Sequence, residues 1–278
     1  MKYGLDVSTV GEYSEPRVLS ELAYEAEQAG WDGFFIWDVL LYEKNVIDPL
    51  VALSAIIMST KRMKVGIMVI PMPRRHPWKV AREIVSLDHL SNGRLIFGAG
   101  LGYNPKAFSS VGEETSFKIR AEKLDESLEI LMGLWSGKKY SFHGKHYNID
   151  NVKFTPVPVQ SPRIPIWIAG FWPNRKPFQR AAKWDGVYPG KVNEEELTAN
   201  DIKEICAYVK KHRKTGDSFD VAAGTKTPSD PDKRVEIIQS FVEAGITWWI
   251  EGIGDYKGSF SEMRKIIRSG PPQMNKHQ

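Results

Sequence analysis

The sequence predicts a (β/α)8 TIM barrel with insertions after strand 4 and before strand 5, and three observations lead there. Short β-branched or aromatic runs alternate with segments of helical period from Tyr3 to Ile267, as parallel strands and their crossover helices require. The strand runs are apolar on both faces, the mark of a sheet covered on both sides. Eight such strands can be counted, each followed by a helix, and a closed barrel fits that count more economically than an open doubly wound sheet.

The repeating unit is clearest between Lys64 and Gly112. Lys64 to Pro71 is a β-branched run stopped by proline. Pro77-Trp78 then opens a helix in which Val80, Ile84, Val85, Leu87 and Leu90 keep roughly helical spacing up to Ser91-Asn92-Gly93. Arg94 to Gly100 is a second buried strand, running into a glycine-relieved loop, Gly100 to Tyr103.

The other units follow in order. Tyr3 to Ser8 is the first strand and Pro16 to Ala29 its helix, with Val18, Leu19, Leu22, Ala23 and Ala26 on one face. Gly33 to Trp37 is the second strand; its helix starts at Asp48-Pro49, an N-cap followed by a first-turn proline. After the fourth strand the period pauses from Tyr103 to Phe117, a loop long enough to carry function, and resumes in a helix from Ile119 to Trp135. Gly137 to Pro158 breaks the period: Tyr140, Phe142, Tyr147 and Ile149 alternate around residues 143–146, a small antiparallel excursion. The fifth strand is Ile164 to Gly170, with a short helix from Arg175 to Lys183, and the sixth is Gly186 to Pro189, with a helix from Glu194 to Arg213. Phe219 to Gly224 and Ile246 to Glu251 are the last two strands, followed by helices Asp232 to Ala244 and Phe260 to Ile267.

Composition excludes several classes. A chain of 278 residues, 42% hydrophobic and without a Gly/Ser linker or charge block, is expected to form one domain over 1–278. Net charge is +4, and no Lys/Arg cluster interleaved with aromatics argues for nucleic acid. The one cysteine, Cys206, lies in a helical segment, so no intrachain disulfide forms and a reducing compartment is expected. No signal-peptide pattern opens the chain and no apolar segment approaches bilayer length, so a cytoplasmic protein with no membrane contact is expected.

In a (β/α)8 barrel, function sits on loops leaving the C-terminal ends of the strands. Those ends carry Asp6, Trp37-Asp38-Val39, Pro71 to His76, Gly100 to Asn104, Gly170 to Lys176, Pro189-Gly190 and Glu251 to Gly254. Aromatic and glycine-rich, they suit a flat ligand and a phosphate. No His/Asp/Glu set falls at matching strand ends, so no catalytic metal is expected. His143 and His146 lie in the hairpin tip without a carboxylate or cysteine set, and His76 reads as a helix-start residue.

These residues carry a resemblance. Gly-Arg-Leu-Ile-Phe-Gly-Ala-Gly-Leu-Gly-Tyr-Asn (93–104), Leu-Asp-His-Leu-Ser-Asn (87–92), the segment Arg120 to Trp135, Pro165-Ile-Trp-Ile-Ala-Gly170 and Ala182-Lys-Trp-Asp-Gly186 are similar to motifs of the bacterial luciferase-like, flavin-dependent oxidoreductase superfamily. The resemblance covers nearly the whole chain, in order. It implies a barrel that binds reduced FMN, or the deazaflavin coenzyme F420, in its C-terminal mouth.

Site residues follow from the resemblance. The third strand is implied to bulge through a non-prolyl cis peptide that braces the flavin ring, corresponding here to Met68-Val69. Gly100 and Leu101 lie beside the cofactor, and Leu101 stands where the luciferase α subunit has a phosphate-contacting arginine. The phosphate turn corresponds to Gly170, Phe171, Trp172, Pro173, Asn174 and Arg175, in which backbone N–H groups, Asn174 and the Arg175 guanidinium supply the anion site. Trp37, Arg74, Arg75 and Tyr103 are expected at the substrate. Val39 replaces the histidine that luciferases and many deazaflavin-dependent members carry after the second-strand aspartate, which leaves Asp38 as the acid/base candidate.

The expected activity is a monooxygenase using reduced FMN and dioxygen on a small organic substrate, supplied by a separate flavin reductase, with a homodimer as the expected assembly. No Gly-x-Gly-x-x-Gly follows the first strand, which agrees with a separate reductase. Three alternatives stay open: hydride transfer through coenzyme F420, a non-catalytic flavin-binding or partner subunit of the same fold, and a barrel binding another phosphorylated ligand at Gly252-Ile-Gly254.

Overall fold

In the computed structural model, residues 1–228 and 230–272 are described. Among them the chain forms ten strands: β1 (Lys2–Val7), β2 (Gly33–Ile36), β3 (Lys64–Pro71), β4 (Leu95–Gly100), β5 (Lys139–His143), β6 (Asn148–Lys153), β7 (Ile166–Trp172), β8 (Gly186–Lys191), β9 (Asp220–Ala223) and β10 (Trp248–Ile253). Eight close into a parallel barrel in the order β1-β2-β3-β4-β7-β8-β9-β10, while β5 and β6 pair separately as the antiparallel excursion. The helices are α1 (Pro16–Gln28), α2 (Pro49–Ser59), α3 (Pro77–Ser91), α4 (Pro105–Ser109), α5 (Phe117–Trp135), α6 (Arg175–Ala181), α7 (Ala199–His212), α8 (Pro231–Ala244) and α9 (Phe260–Ser269). No helix among the described residues is long and apolar enough to cross a membrane.

Local chemistry sets the element ends. The Asp48 carboxylate accepts from the N–H groups of Leu50 and Val51, and Pro49 follows at the first turn, as the sequence predicts. Helix α3 stops at Asn92, whose left-handed backbone (φ 55°) ends the ladder. Helix α7 departs from expectation: it starts at Ala199, not at Glu194, because Thr198 and Asp201 form a reciprocal capping box. The Tyr103 to Phe117 loop contains the short helix α4, and β7 runs on to Trp172, two residues past Gly170.

Alternation along each strand divides the core in two. Leu5, Val7, Phe34, Ile36, Val65 and Ile67 belong to the large core that includes helix residues. Phe35, Met68, Ile96, Trp167, Ala222, Trp248 and Ile250 form a second cluster inside the barrel, with Val69 and Tyr188 against it. Phe35, Trp167 and Trp248 meet as a ring triad at 5.5–5.8 Å. Each such ring buries roughly 150–250 Å², about 4–6 kcal/mol apiece at 25 cal/mol per Å². The barrel interior is therefore filled by side chains. The Met68–Val69 peptide is cis, as the resemblance implied, and the β3–β4 register shifts between Ile67 and Ile70. A Cβ at Gly98 would strike the Ile67 carbonyl oxygen, so the strand opposite this bulge must carry glycine.

Candidate active site

The inward face of β1 carries Gly4 and then Asp6. Asp6 lies in register with Phe35 of β2 and Gly252 of β10. Because Gly252 has no side chain, the Tyr256 hydroxyl occupies the space above it, where a Cβ would collide. The Trp37 indole N–H donates to Asp6 Oδ2 at 2.9 Å, and the Tyr188 hydroxyl donates to the same oxygen at 2.8 Å. The other oxygen, Oδ1, is buried and has no partner among the described residues. Burial pushes the Asp6 carboxyl up to about 6, against the opposing pull of the Trp37 and Tyr188 hydrogen bonds. The Tyr188 phenol is raised well above its ordinary value by burial and by the Asp6 charge. Trp37 stacks on Tyr256 with ring centres 5.6 Å apart and planes 25° from parallel.

Asp38 sits in a different environment. Its side chain is 4% exposed and accepts from Arg75 Nη2 at 2.7 Å. Burial raises its pKa and the Arg75 guanidinium lowers it. Arg74 pairs with Glu113 at 3.2 Å and lies over the Phe108 ring at 4.4 Å. Both loop arginines are thus engaged by carboxylates of the chain itself.

The remaining sequence-predicted residues separate into three places. Met68 lies in the barrel interior with Val69 against it, and a Cβ at Gly100 would meet the Val69 side chain. Leu101 is half-buried, its carbonyl held by Arg120. Tyr103 and Phe171 pack at 5.2 Å on the rim, where the Tyr103 hydroxyl donates to Glu194 at 2.8 Å. Gly170 and Trp172 face helix α6 instead: a Cβ at Gly170 would meet Pro177, and Trp172 packs on Phe178. With β7 continuing to Trp172, the expected phosphate turn contracts to Pro173 and Asn174, after a cis Trp172–Pro173 bond. Asn174 precedes α6 without a side-chain capping bond. Arg175 is exposed, its guanidinium 4.0 Å from the Trp172 ring centre and 5.0 Å from that of Tyr208. No carboxylate among the described residues pairs with it.

Sequence reasoning assigned no role to Asp6, Tyr188, Tyr256 or Arg120. Arg120 is 0% exposed, and its Nη1 donates to the Leu101 and Gly102 carbonyls at 3.1 Å each. The guanidinium lies 4.3 Å from the Phe108 ring centre and 4.5 Å from that of Phe117. Its Nε and Nη2 have no partner among the described residues, and burial lowers its pKa. Spacing gave a signal for it: Arg120 shares a helix face with the buried Leu124, Leu128 and Leu131. For Asp6 the signal was a carboxylate inside the apolar run Tyr3 to Val7. Among the described residues no group of three or more His, Cys, Asp or Glu side chains could hold a metal ion.

A closed barrel with an acid, an indole and two phenols at its C-terminal mouth is an enzyme fold of the (β/α)8 class. The family model for luciferase-like monooxygenases matches residues 4–271, and the chain belongs to this family of oxidoreductases. An uncharacterized protein of Mycobacterium tuberculosis is 31% identical over 196 residues, 63% of this chain and 66% of that one. An F420-dependent glucose-6-phosphate dehydrogenase of Amycolatopsis mediterranei is 31% identical over 164 residues, 57% of this chain and 49% of the dehydrogenase. The matched part is therefore about half to two thirds of these relatives' length. Among solved structures, the FMN complex of the oxygenating constituent of 3,6-diketocamphane monooxygenase from Pseudomonas putida has a TM-score of 0.79 at 16% identity, covering 97% of this chain and 96% of that one. An F420-dependent secondary alcohol dehydrogenase has a TM-score of 0.80 at 16% identity, covering 99% of both chains. At such identities the likeness is one of fold.

Proposed function

We propose that this chain is a monooxygenase that takes reduced FMN and dioxygen and oxidises a small uncharged organic substrate in the barrel mouth. The observation that carries this reading is the mouth itself: a buried aromatic plug, the Asp6 carboxyl above it, and a rim of exposed rings, with Tyr103 59%, Phe171 39% and Tyr256 52% exposed. Flat faces of this kind suit an isoalloxazine ring. The residues fit the cofactor further in that Asp6 Oδ1 offers an unpaired buried acceptor and the Arg175 guanidinium stands beside Asn174 at the start of α6, where a phosphate is expected. When bound, reduced FMN supplies the electrons that activate dioxygen. The chain's part is to orient the ring, hold the phosphate and exclude water. Arg74 and Arg75 already carry carboxylate partners, Glu113 and Asp38, which favours an uncharged substrate over an anionic one.

Electrons reach the cofactor from a separate flavin reductase on this reading. The chain pairs with a second copy through α2, which is apolar on its outer side as well, with Val51 57% and Met58 65% exposed. A second reading, hydride transfer through coenzyme F420, is favoured by the 31% identity to an F420-dependent dehydrogenase.

The test is anaerobic titration with reduced FMN, oxidised FMN and coenzyme F420, followed by tryptophan fluorescence, on the wild type and Arg175→Ala. Loss of one charge-assisted contact of about 1.5–3 kcal/mol predicts binding of reduced FMN weakened by about 10- to 100-fold. Selective binding of coenzyme F420 transfers the function to the second reading. Failure of all three ligands to bind refutes both.

A further inference from the structure

We propose that Asp6 is the proton-transfer group of this site, acting through Oδ1 on a basic nitrogen or oxygen of the bound ring or substrate. This rests on the function proposed above and gives its acid/base role to a residue other than Asp38. The Asp6 carboxyl is asymmetric. Trp37 and Tyr188 both donate to Oδ2, while Oδ1, also buried, receives nothing among the described residues. A buried polar oxygen without a partner costs about 1–3 kcal/mol, and a ligand atom that accepts the carboxyl O–H is the partner this geometry lacks.

Charge separates the two aspartates. Asp38 is paired with the Arg75 guanidinium at 2.7 Å, which opposes the upward push of burial on its pKa. The groups that face Asp6 are neutral: the Trp37 indole after β2, the Tyr188 phenol of β8, the Tyr256 phenol after β10 and the Gly252 backbone. Glu251, next along β10, is occupied by Arg234 at 3.0 Å and Lys257 at 2.7 Å. With no cation against it, Asp6 can exist as acid or carboxylate near neutrality, which agrees with burial pushing it up to about 6.

The step is a proton transfer and balances without an oxidant. The carboxyl O–H bond breaks, the proton forms an N–H or O–H bond on the ligand, and the electron pair stays on Asp6. The resulting carboxylate is held by the two donors already in place, and water returns the proton. Trp37 and Tyr188 are positioning residues in this scheme.

The test uses protein labelled with carbon-13 at the aspartate carboxyl, with the Asp6 resonance assigned from Asp6→Asn and independently from the signal that Tyr188→Phe moves. Without ligand Asp6 should titrate near 6. Adding reduced FMN anaerobically covers Oδ1 and should raise that midpoint by about one unit, so the Asp6-linked part of the Kd for reduced FMN weakens about sevenfold as pH rises from 5.5 to 8. Asp6→Asn should keep only the pH dependence that comes from the ligand's own titration and lose the rest. A midpoint unmoved by ligand, or a wild-type pH dependence kept by Asp6→Asn, overturns the inference alone. If neither reduced FMN nor coenzyme F420 binds the wild type, the function proposed above falls and the inference falls with it.

Discussion

Replacing Asp6 by asparagine should stabilise the protein at neutral pH. The folded chain holds this carboxyl at about 6, against 3.8 for an ordinary aspartate. A carboxyl raised on folding contributes fully at low pH, and stability is lost as pH rises from about 4 through about 6. Two units, at the free energy of a tenfold change each, give a penalty near 3 kcal/mol at pH 8, falling below about 1 kcal/mol at pH 4. Asparagine removes this penalty. Its carbonyl can still accept from Trp37 and Tyr188, while its amide takes the place of Oδ1, which has no protein partner to lose. Urea unfolding of wild type and Asp6→Asn at pH 4.5, 6 and 8 reads the effect directly. The variant's advantage must grow with pH. An advantage independent of pH, or a variant less stable than wild type at pH 8, would refute the assignment of a desolvated, unpaired carboxyl.

Three further outcomes can be checked. Tyr188→Phe removes one of the two donors to Oδ2, so the Asp6 midpoint should rise by about one to two units, read by carboxyl NMR; an unchanged midpoint would mean the phenol bond is not formed in solution. Asp88→Ala strips the acceptor from the Val159 and Gln160 backbone N–H groups and the Gln160 amide. It should cost about 3 kcal/mol in denaturant unfolding, with a cost under 1 kcal/mol counting against that anchor. Glu25 is held at about 2 by hydrogen bonds from Arg264 and Arg268, so its contribution is present above about pH 4.5 and lost as pH falls toward 2. Glu25→Gln should therefore melt below wild type at pH 7 and converge with it in acid; a constant gap would place the effect outside the ion cluster.

Much of the barrel was legible because each strand is a doubly buried run and each helix start carries its own chemistry, as at Asp48-Pro49 and Pro77. Where two local signals competed, the wrong one was easy to follow. Glu194, Glu195 and Glu196 are good helix formers, yet the Thr198–Asp201 capping box fixes the start of α7 after them. The site was less legible for a physical reason. A strand apolar on both sides shows no period of two, so nothing in residues 2–7 says that Gly4 and Asp6 face the lumen while Leu5 and Val7 face the helices. What distinguishes the oxygens of Asp6 comes from Trp37 and Tyr188, 31 and 182 residues away in sequence. Asp38, beside Trp37, was visible as a strand-end acid, but its partner Arg75 lies on another loop.

The loops of the mouth are tied to one another across the chain. Val10 and Val46 form a bridge, Lys44 pairs with Asp255, Arg74 with Glu113, Tyr103 with Glu194, and the Thr225 hydroxyl donates to Glu196. Each tie joins segments that leave different strands, so their ordering belongs to folding. A ligand arriving there finds its contact surfaces already assembled. On the function proposed above, the entropy that a set of loose loops would charge against every binding event is met in part when the chain folds.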